Sequence, residues 1–256
     1  KRKLLIVVLG LAIVLGGLYG LIYQRYVIPI LVYHRIELTE VYQPNVVSPK
    51  NFEFQMKYLS EHHFNILSVK ELVEAIQHKK KLRGKNVVVT FDDGTEDNYT
   101  SAFSSLKKYK IPTTIFLVSS YIDQKGFLTL GQIKEMQQAG IEFGSHSKTH
   151  PYLPEIPPFK QEEEVKDSKI ILEKALGMPI DYFVYPVGGF SEGIKTFVKE
   201  AGYKAALTTN RGYHKLNDDV YELKLIRMTD RDNQGISLWF KLSGFYNAFR
   251  KTRDPN

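Results

Sequence analysis

The chain has 256 residues, of which 43% are hydrophobic and 25% are charged, values typical of a folded globular protein and not of a disordered or fibrous one. Its net charge is +7, but no segment shows the regular basic and aromatic pattern of nucleic-acid binders, so we expect no nucleic-acid partner. The absence of cysteine excludes disulfides, cysteine nucleophiles and thiolate metal sites, so any metal site must use His, Asp or Glu.

Residues 1–26 are predicted to form a membrane anchor. The apolar run from Leu4 to Tyr23 carries no charge and, at about 1.5 Å per residue, is long enough to cross a hydrocarbon core of about 30 Å. Lys1–Lys3 precede it, and basic flanks tend to stay in the cytoplasm. A cleaved signal peptide is the alternative, but no Ala-x-Ala-like exit follows the run. We therefore expect a single-pass protein of the cell membrane with an extracellular domain over residues 27–256.

After the anchor, short β-branched or aromatic runs alternate with helical segments, which is typical of βα units around a parallel sheet. We expect a distorted (β/α) barrel of seven to eight mainly parallel strands. The predicted strands are Ile28–Tyr33, Asn65–Leu67, Val87–Phe91, Thr114–Val118, Ile141–Gly144, Tyr182–Tyr185, Ala205–Thr208 and Leu223–Met228. Because few residues separate Tyr23 from the first strand, we also expect the active site to lie close to the membrane.

Helix signals lie between these strands. Predicted helix starts are Ser48-Pro49, the capping box that begins at Ser68, and Thr129 before Leu130–Ala139. A long helix is predicted over Lys160–Leu176, and the predicted glycine stops are Gly140, Gly177 and Gly202.

Two adjacent carboxylates, Asp92 and Asp93, end the apolar strand Val87–Phe91 and are followed by Gly94. Parallel α/β folds build their sites at the carboxyl ends of strands. Neighbouring strand residues point to opposite faces, so both carboxylates reach one site only where the strand ends and turns. An ordinary Asp-Gly turn with a helix cap is the alternative.

A second polar group, His146 and His150, follows the predicted strand Ile141–Gly144. On a helical turn, positions i and i+4 share a face, and two imidazoles can then bind one metal. One carboxylate and two imidazoles are a common divalent-metal triad with open positions. The other carboxylate then remains free to act as a base.

These residues resemble a known family, the polysaccharide deacetylases of the NodB-homology type (carbohydrate esterase family 4). The resemblance covers roughly residues 30–230, with one motif at Thr90–Gly94 and a His-Ser/Thr-x-x-His motif at His146–His150. It implies Asp92 as the general base and Asp93, His146 and His150 as metal ligands. Zinc is the simplest cation for this set, and cobalt, nickel or manganese are alternatives.

The family's third motif, Arg-x-Pro-Tyr/Phe, is matched with changes. Val184 stands at the position of the arginine that braces the catalytic aspartate, so we expect Arg227, in an apolar strand, to be a buried substitute; a cation on an edge strand is the alternative. The resemblance makes Tyr185, Pro186 and Val187 substrate-binding residues. Val187 replaces the aromatic residue whose backbone N–H serves the oxyanion.

His34 ends the first predicted strand in Tyr33-His34-Arg35. This opening resembles the subgroup that de-N-acetylates poly-β-1,6-linked N-acetylglucosamine. We interpret His34 as a substrate contact or a substitute general acid, and a hydrogen-bonded histidine at a strand end is the alternative.

The sequence thus predicts an extracellular hydrolase of non-peptide carbon–nitrogen bonds. It would remove N-acetyl groups from poly-β-1,6-N-acetylglucosamine or from peptidoglycan glycan. An O-acetyl esterase with the same site is one alternative. A wall-binding homologue without activity is the other, although a buried Asp and His group is costly without a metal.

Overall fold

The computed structural model describes residues 26–210, 217, 219–233 and 235–249. The predicted membrane segment from Leu4 to Tyr23 lies outside these residues. Within the described ranges, no helix combines the length and the apolar character that a membrane crossing needs.

Strands and helices alternate through most of the described chain, as the sequence predicts. The strands are Ile30–Tyr33 (β1), Arg35–Ile36 (β2), Val46–Val47 (β3), Phe64–Leu67 (β4), Lys85–Phe91 (β5), Thr113–Leu117 (β6), Glu142–Ser145 (β7), Tyr182–Val184 (β8), Ala205–Thr208 (β9) and Leu223–Arg227 (β10). The α-helices are Pro49–Glu61 (α1), Val69–Gln77 (α2), Phe103–Tyr109 (α3), Leu130–Gln138 (α4), Pro158–Leu176 (α5), Glu192–Glu200 (α6) and Ile236–Leu242 (α7).

Parallel strands close into a seven-stranded barrel. The ring order is β1-β10-β9-β8-β7-β6-β5, and β5 pairs back to β1. Closure depends on β5, whose first half pairs with β4 and whose second half pairs with β1. All eight predicted strands are therefore present, and β4 is the one outside the ring. The short parallel pair of β2 and β3 was not predicted, because two-residue strands have no detectable periodicity.

Most residues of the ring strands are apolar and buried because both faces of these strands are covered. In β1, Ile30 and Val32 belong to one buried cluster, and Leu31 and Tyr33 belong to another, which is the period of two expected for a strand. The larger cluster also contains buried residues of every described α-helix except α2, whose buried face belongs to the smaller cluster. It therefore fills the layer between barrel and helices.

The predicted helix boundaries are confirmed to within two residues. Ser48 caps α1, and Ser68 and Thr129 form capping boxes at α2 and α4. α5 starts at Pro158, two residues before the prediction, because proline fits the first helical turn. Gly177 ends α5 with φ 69°.

The parallel arrangement brings the polar strand ends together. Asp92 and Asp93 follow β5, His146 follows β7, and His34 follows β1, so these residues lie at the same open end of the barrel. The described chain begins at Tyr26, just before β1, and therefore at the opposite end. The expected position of the site close to the membrane depends on residues outside the described ranges and stays a prediction.

Candidate active site

Asp93, His146 and His150 converge on one point. Asp93 Oδ1 lies 3.6 Å from His146 Nε2 and 3.5 Å from His150 Nε2, and the two Nε2 atoms lie 3.1 Å apart. Two nitrogens that each bind a tetrahedral zinc at about 2.0–2.1 Å are roughly 3.4 Å from each other. The three side chains therefore form a group that can hold one metal ion, with the mixed nitrogen and oxygen donors that the sequence predicts.

The orientation of His146 is fixed by the neighbouring strand. Its Nδ1–H donates to the Val184 carbonyl oxygen at 2.9 Å, which leaves the Nε2 lone pair for the site. Burial and the nearby His150 lower the pKa of His146 to about 3, although the bond to Val184 opposes them. The imidazole is therefore neutral at pH 7, as a metal ligand must be.

The loops that carry these ligands adopt backbone conformations that most residues avoid. Asp93, Ser147 and His150 have φ of 72°, 66° and 62°, in the left-handed region, where a non-glycine residue is under strain. Gly94, at φ 68°, is the glycine predicted to permit the turn, and a Cβ there would lie 2.6 Å from a Leu117 methyl group. Surrounding contacts must therefore hold these loops in place.

Glu164 of α5 supplies such contacts to the loop between the two histidines. Its Oε2 accepts the Lys148 and Thr149 backbone N–H groups at 2.9 and 2.8 Å, and its Oε1 accepts the Thr149 hydroxyl at 2.6 Å. The side chain is buried. The sequence predicts only a helix here, with no link to the site. The available signal was the acidic run Glu162–Glu164, one loop after His150.

Asp92 is buried beside the metal-binding group. Its N–H donates to the Tyr33 carbonyl oxygen at 2.9 Å, but its Oδ1 has no hydrogen-bond partner among the described residues. Burial, and secondarily the charge of Asp93, raise the pKa of Asp92 well above its ordinary value, whereas Arg227 lowers it. The site thus contains a carboxylate with a high proton affinity and a vacant acceptor atom.

Arg227 lies at the end of β10 and does not have the predicted environment. Its side chain is exposed, because it is the last strand residue at the mouth of the barrel, so the prediction of a buried arginine is wrong. The edge-strand alternative is also wrong, since β10 pairs with β1 and β9. Arg227 acts on Asp92 through its charge, and no ion pair or hydrogen bond joins the two in the described chain.

His34 lies near the same group, as the sequence predicts. Its Nδ1 is buried and has no hydrogen-bond partner among the described residues, which contradicts a histidine satisfied at a strand end. Burial lowers its pKa to about 4, the charge of Asp93 opposes this, and Arg227 adds to the lowering. A neutral imidazole favours the predicted substrate contact over the predicted general acid.

The three residues predicted to bind substrate have different environments. Tyr185 is fully buried, and its hydroxyl donates to the Tyr221 carbonyl oxygen at 3.0 Å, so its side chain cannot reach a polymer. Pro186 is also buried. Val187 is 64% exposed and has φ 57°, an outlier for a β-branched residue. Of the three, only Val187 presents a side chain to solvent.

A groove of about 400 Å³ adjoins the metal-binding group and was not foreseen from the sequence. Its lining includes Asp93 and His150 of the metal-binding group, the aromatic residues Tyr121 and Phe127, and Arg35. The available signal was the position of the two aromatic residues, in a loop that follows a predicted strand at the open end of the barrel.

The polysaccharide deacetylase family matches this chain. The family's sequence profile aligns with residues 79–206. The chain is 35% identical over 202 residues to Bacillus subtilis YxkH, whose name places it among the polysaccharide deacetylases, and this match covers 79% of the chain and 71% of that protein. It is 29% identical over 201 residues to a Staphylococcus aureus poly-β-1,6-N-acetyl-D-glucosamine N-deacetylase, with 72% and 68% covered.

A solved structure supports the same assignment. The Streptococcus pyogenes deacetylase PplD, determined in complex with acetate, aligns with a TM-score of 0.74 and 28% identity over 88% of this chain and 98% of that one. The profile match contains both the aspartate pair and the histidine pair. On this sequence, this fold and these relatives, the chain is an enzyme of the polysaccharide deacetylase family.

Proposed function

We propose that this enzyme is a metal-dependent hydrolase that removes N-acetyl groups from an N-acetylglucosamine polymer. The observation that carries the proposal is the convergence of Asp93, His146 and His150 beside the buried carboxylate of Asp92. The Staphylococcus aureus relative is named for poly-β-1,6-N-acetyl-D-glucosamine, which makes this polymer the first to test. Peptidoglycan glycan is the alternative substrate.

Asp93, His146 and His150 would hold a divalent cation. Two imidazoles and one carboxylate suit zinc, and also cobalt, nickel or manganese. When bound, the cation would polarise the acetamide carbonyl and lower the pKa of water. Val184 supports this assignment, because its carbonyl fixes the His146 tautomer that offers Nε2 to the site.

Asp92 would act as the general base. Its vacant Oδ1 and high proton affinity suit the removal of a proton from the attacking water. The water's hydroxyl adds to the carbonyl carbon, the carbon–nitrogen bond breaks, and the proton held by Asp92 passes to the leaving amine. The backbone N–H of Val187 would stabilise the developing oxyanion, and His34 would contact the substrate.

The proposed location is the outer face of the cell membrane, with the segment from Leu4 to Tyr23 as the anchor. The support is the length and the lack of charge of this segment. It is also consistent with an extracellular polymer as substrate.

The test is acetate release from β-1,6- and β-1,4-linked N-acetylglucosamine oligomers, with and without a chelator. Asp93→Asn should lower kcat/KM at least as much as the chelator does. Asp181→Asn is a matched control, because the Asp181 side chain is 26% exposed and that of Asp93 27%, but Asp181 precedes β8 at the opposite end of the barrel. Acetate release that survives both the chelator and Asp93→Asn would contradict the proposal. O-acetylated oligomers, assayed in parallel, separate amide from ester hydrolysis.

A further inference from the structure

Two aromatic side chains, Tyr121 and Phe127, line the groove together with Asp93 and His150 and form an aromatic wall. The ring centroids of Tyr121 and Phe127 are 4.5 Å apart at an interplanar angle of 45°. Both side chains are half-buried, so each ring retains a solvent-facing part. The groove, at about 400 Å³, lies within the usual range of ligand pockets, about 300–1,000 Å³.

Backbone hydrogen bonds attach this aromatic wall to both ligand loops. Residues 94–96, which follow the aspartate pair, make two bonds of 2.9 Å to residues 126–128. Residues 119–120 make two bonds, of 3.1 and 3.0 Å, to residues 147–148 of the histidine loop. The wall is thus held at a fixed position relative to the metal ligands, which distinguishes it from aromatic side chains on an unattached surface loop.

We propose that Tyr121 and Phe127 form a subsite that stacks a pyranose ring of the sugar unit adjacent to the one being deacetylated. This inference rests on the proposed function. The C–H groups on one face of a pyranose are weakly positive and apolar, and the face of an aromatic ring is negative. Two rings inclined at 45° offer such a face, and the fixed distance to Asp93 and His150 would set which acetyl group reaches the site.

The charges around the groove favour a neutral sugar over an anionic ligand. Arg35 is the cation in the groove lining, and its guanidinium lies 2.7 Å from a Glu37 carboxylate oxygen and 3.7 Å from one of Asp97. These two carboxylates compensate its charge. Arg35 therefore offers N–H donors to hydroxyl groups without a net positive field that would select an anion.

The test compares the monosaccharide N-acetylglucosamine, which has no adjacent sugar unit, with a pentasaccharide of the linkage that the wild type accepts. Phe127→Leu and Tyr121→Leu keep apolar volume but remove the ring, and Tyr121→Phe keeps the ring. For both leucine variants we expect kcat/KM on the pentasaccharide to fall about tenfold, with a smaller loss on the monosaccharide, and we expect Tyr121→Phe to resemble the wild type. Equal losses on both substrates, or no loss, would overturn the subsite. A wild type inactive on every oligomer would instead refute the proposed function.

A binding measurement covers the case in which the leucine variants do not fold. The chain contains one tryptophan, so Phe127→Trp adds a reporter ring to the wall. In an Asp92→Asn background, which should block turnover, the pentasaccharide is expected to change the emission of Phe127→Trp but not that of the protein with Phe127. An unchanged emission at saturating oligomer would also overturn the subsite.

Discussion

Replacing Glu164 with alanine tests how the fold holds the two imidazoles. The carboxylate accepts three hydrogen bonds from Lys148 and Thr149, at 2.9, 2.8 and 2.6 Å. Their loop carries His146 and His150 and includes two residues with left-handed backbone conformations. We expect Glu164→Ala to release the loop from this conformation and to weaken metal binding, although Glu164 touches no metal ligand side chain.

The magnitude follows from the three bonds. Each hydrogen bond to a charged acceptor contributes about 1.5–3 kcal/mol, so the three together contribute about 4.5–9 kcal/mol. Water can enter the vacated space and accept the freed N–H groups, so we expect a smaller loss of unfolding free energy, about 2–4 kcal/mol. Removing a group that orients a metal ligand typically lowers metal affinity by about 10–100-fold.

The assay is competition for zinc with a chromophoric chelator, combined with urea unfolding of the metal-free protein. Glu162→Ala is the matched control, because Glu162 lies on the same helix and, within the described residues, its ion pair is an exposed one with Lys166, a type of pair worth about 0–1 kcal/mol. A folded Glu164→Ala protein with a metal affinity like that of Glu162→Ala would refute the reasoning.

Three further predictions concern other residues of the site. In metal-free protein the pKa of Asp92 is raised in the folded state, so above about pH 4 this carboxyl group stays protonated in the folded protein but loses its proton in the unfolded protein. The unfolding free energy of the wild type should therefore fall as the pH rises from about 4 towards the folded-state pKa. Urea titrations of Asp92→Asn should show a shallower fall. Arg227→Gln removes a charge that lowers the pKa of Asp92, so the acidic limb of the pH profile of kcat/KM should move to higher pH. An unmoved limb would show that the charge of Arg227 does not affect the pKa of the general base. Val187→Gly removes the cost of holding a valine in the left-handed conformation, about 1–2 kcal/mol. The glycine adds chain entropy to the unfolded state, which costs about 0.5–1 kcal/mol on folding. Thermal unfolding should therefore show a gain of roughly 0.5–1 kcal/mol, and a loss would mean that the valine is not strained.

The barrel and the metal-binding group were predictable because their signals are local. A parallel strand covered on both faces has to be apolar, so β5 and the other ring strands stand out in the sequence. The residue that follows such a strand lies at the open end of the barrel, whichever strands are neighbours. Asp93, His146 and His150 therefore meet, even though the sequence does not give the strand order.

The wrong predictions depended on side-chain direction at strand ends. Arg227 was expected to be buried because its neighbours are apolar, but the last residue of β10 has no further layer to cover it. Tyr185 was assigned to substrate from its motif, whereas its side chain faces the core and contacts Tyr221. Glu164 was missed for a related reason, since its role exists only when α5 packs beside the histidine loop. Such contacts depend on tertiary packing and have no local sequence signal.

The topology also sets the distance between the amino-terminal end of the described chain and the candidate active site. The described chain starts at Tyr26, whose ring packs edge-on against Phe245, and the Val27 N–H donates to the Gly244 carbonyl oxygen at 2.8 Å. These contacts fix the amino-terminal end of β1 to the last part of the domain. β5, with seven residues, spans about 23 Å at about 3.3 Å per residue, or about 19 Å along the axis after a tilt of about 36°. The open end of the barrel, with the candidate active site, therefore lies about 19 Å along the axis from the end at which β1 begins, by the same strand geometry.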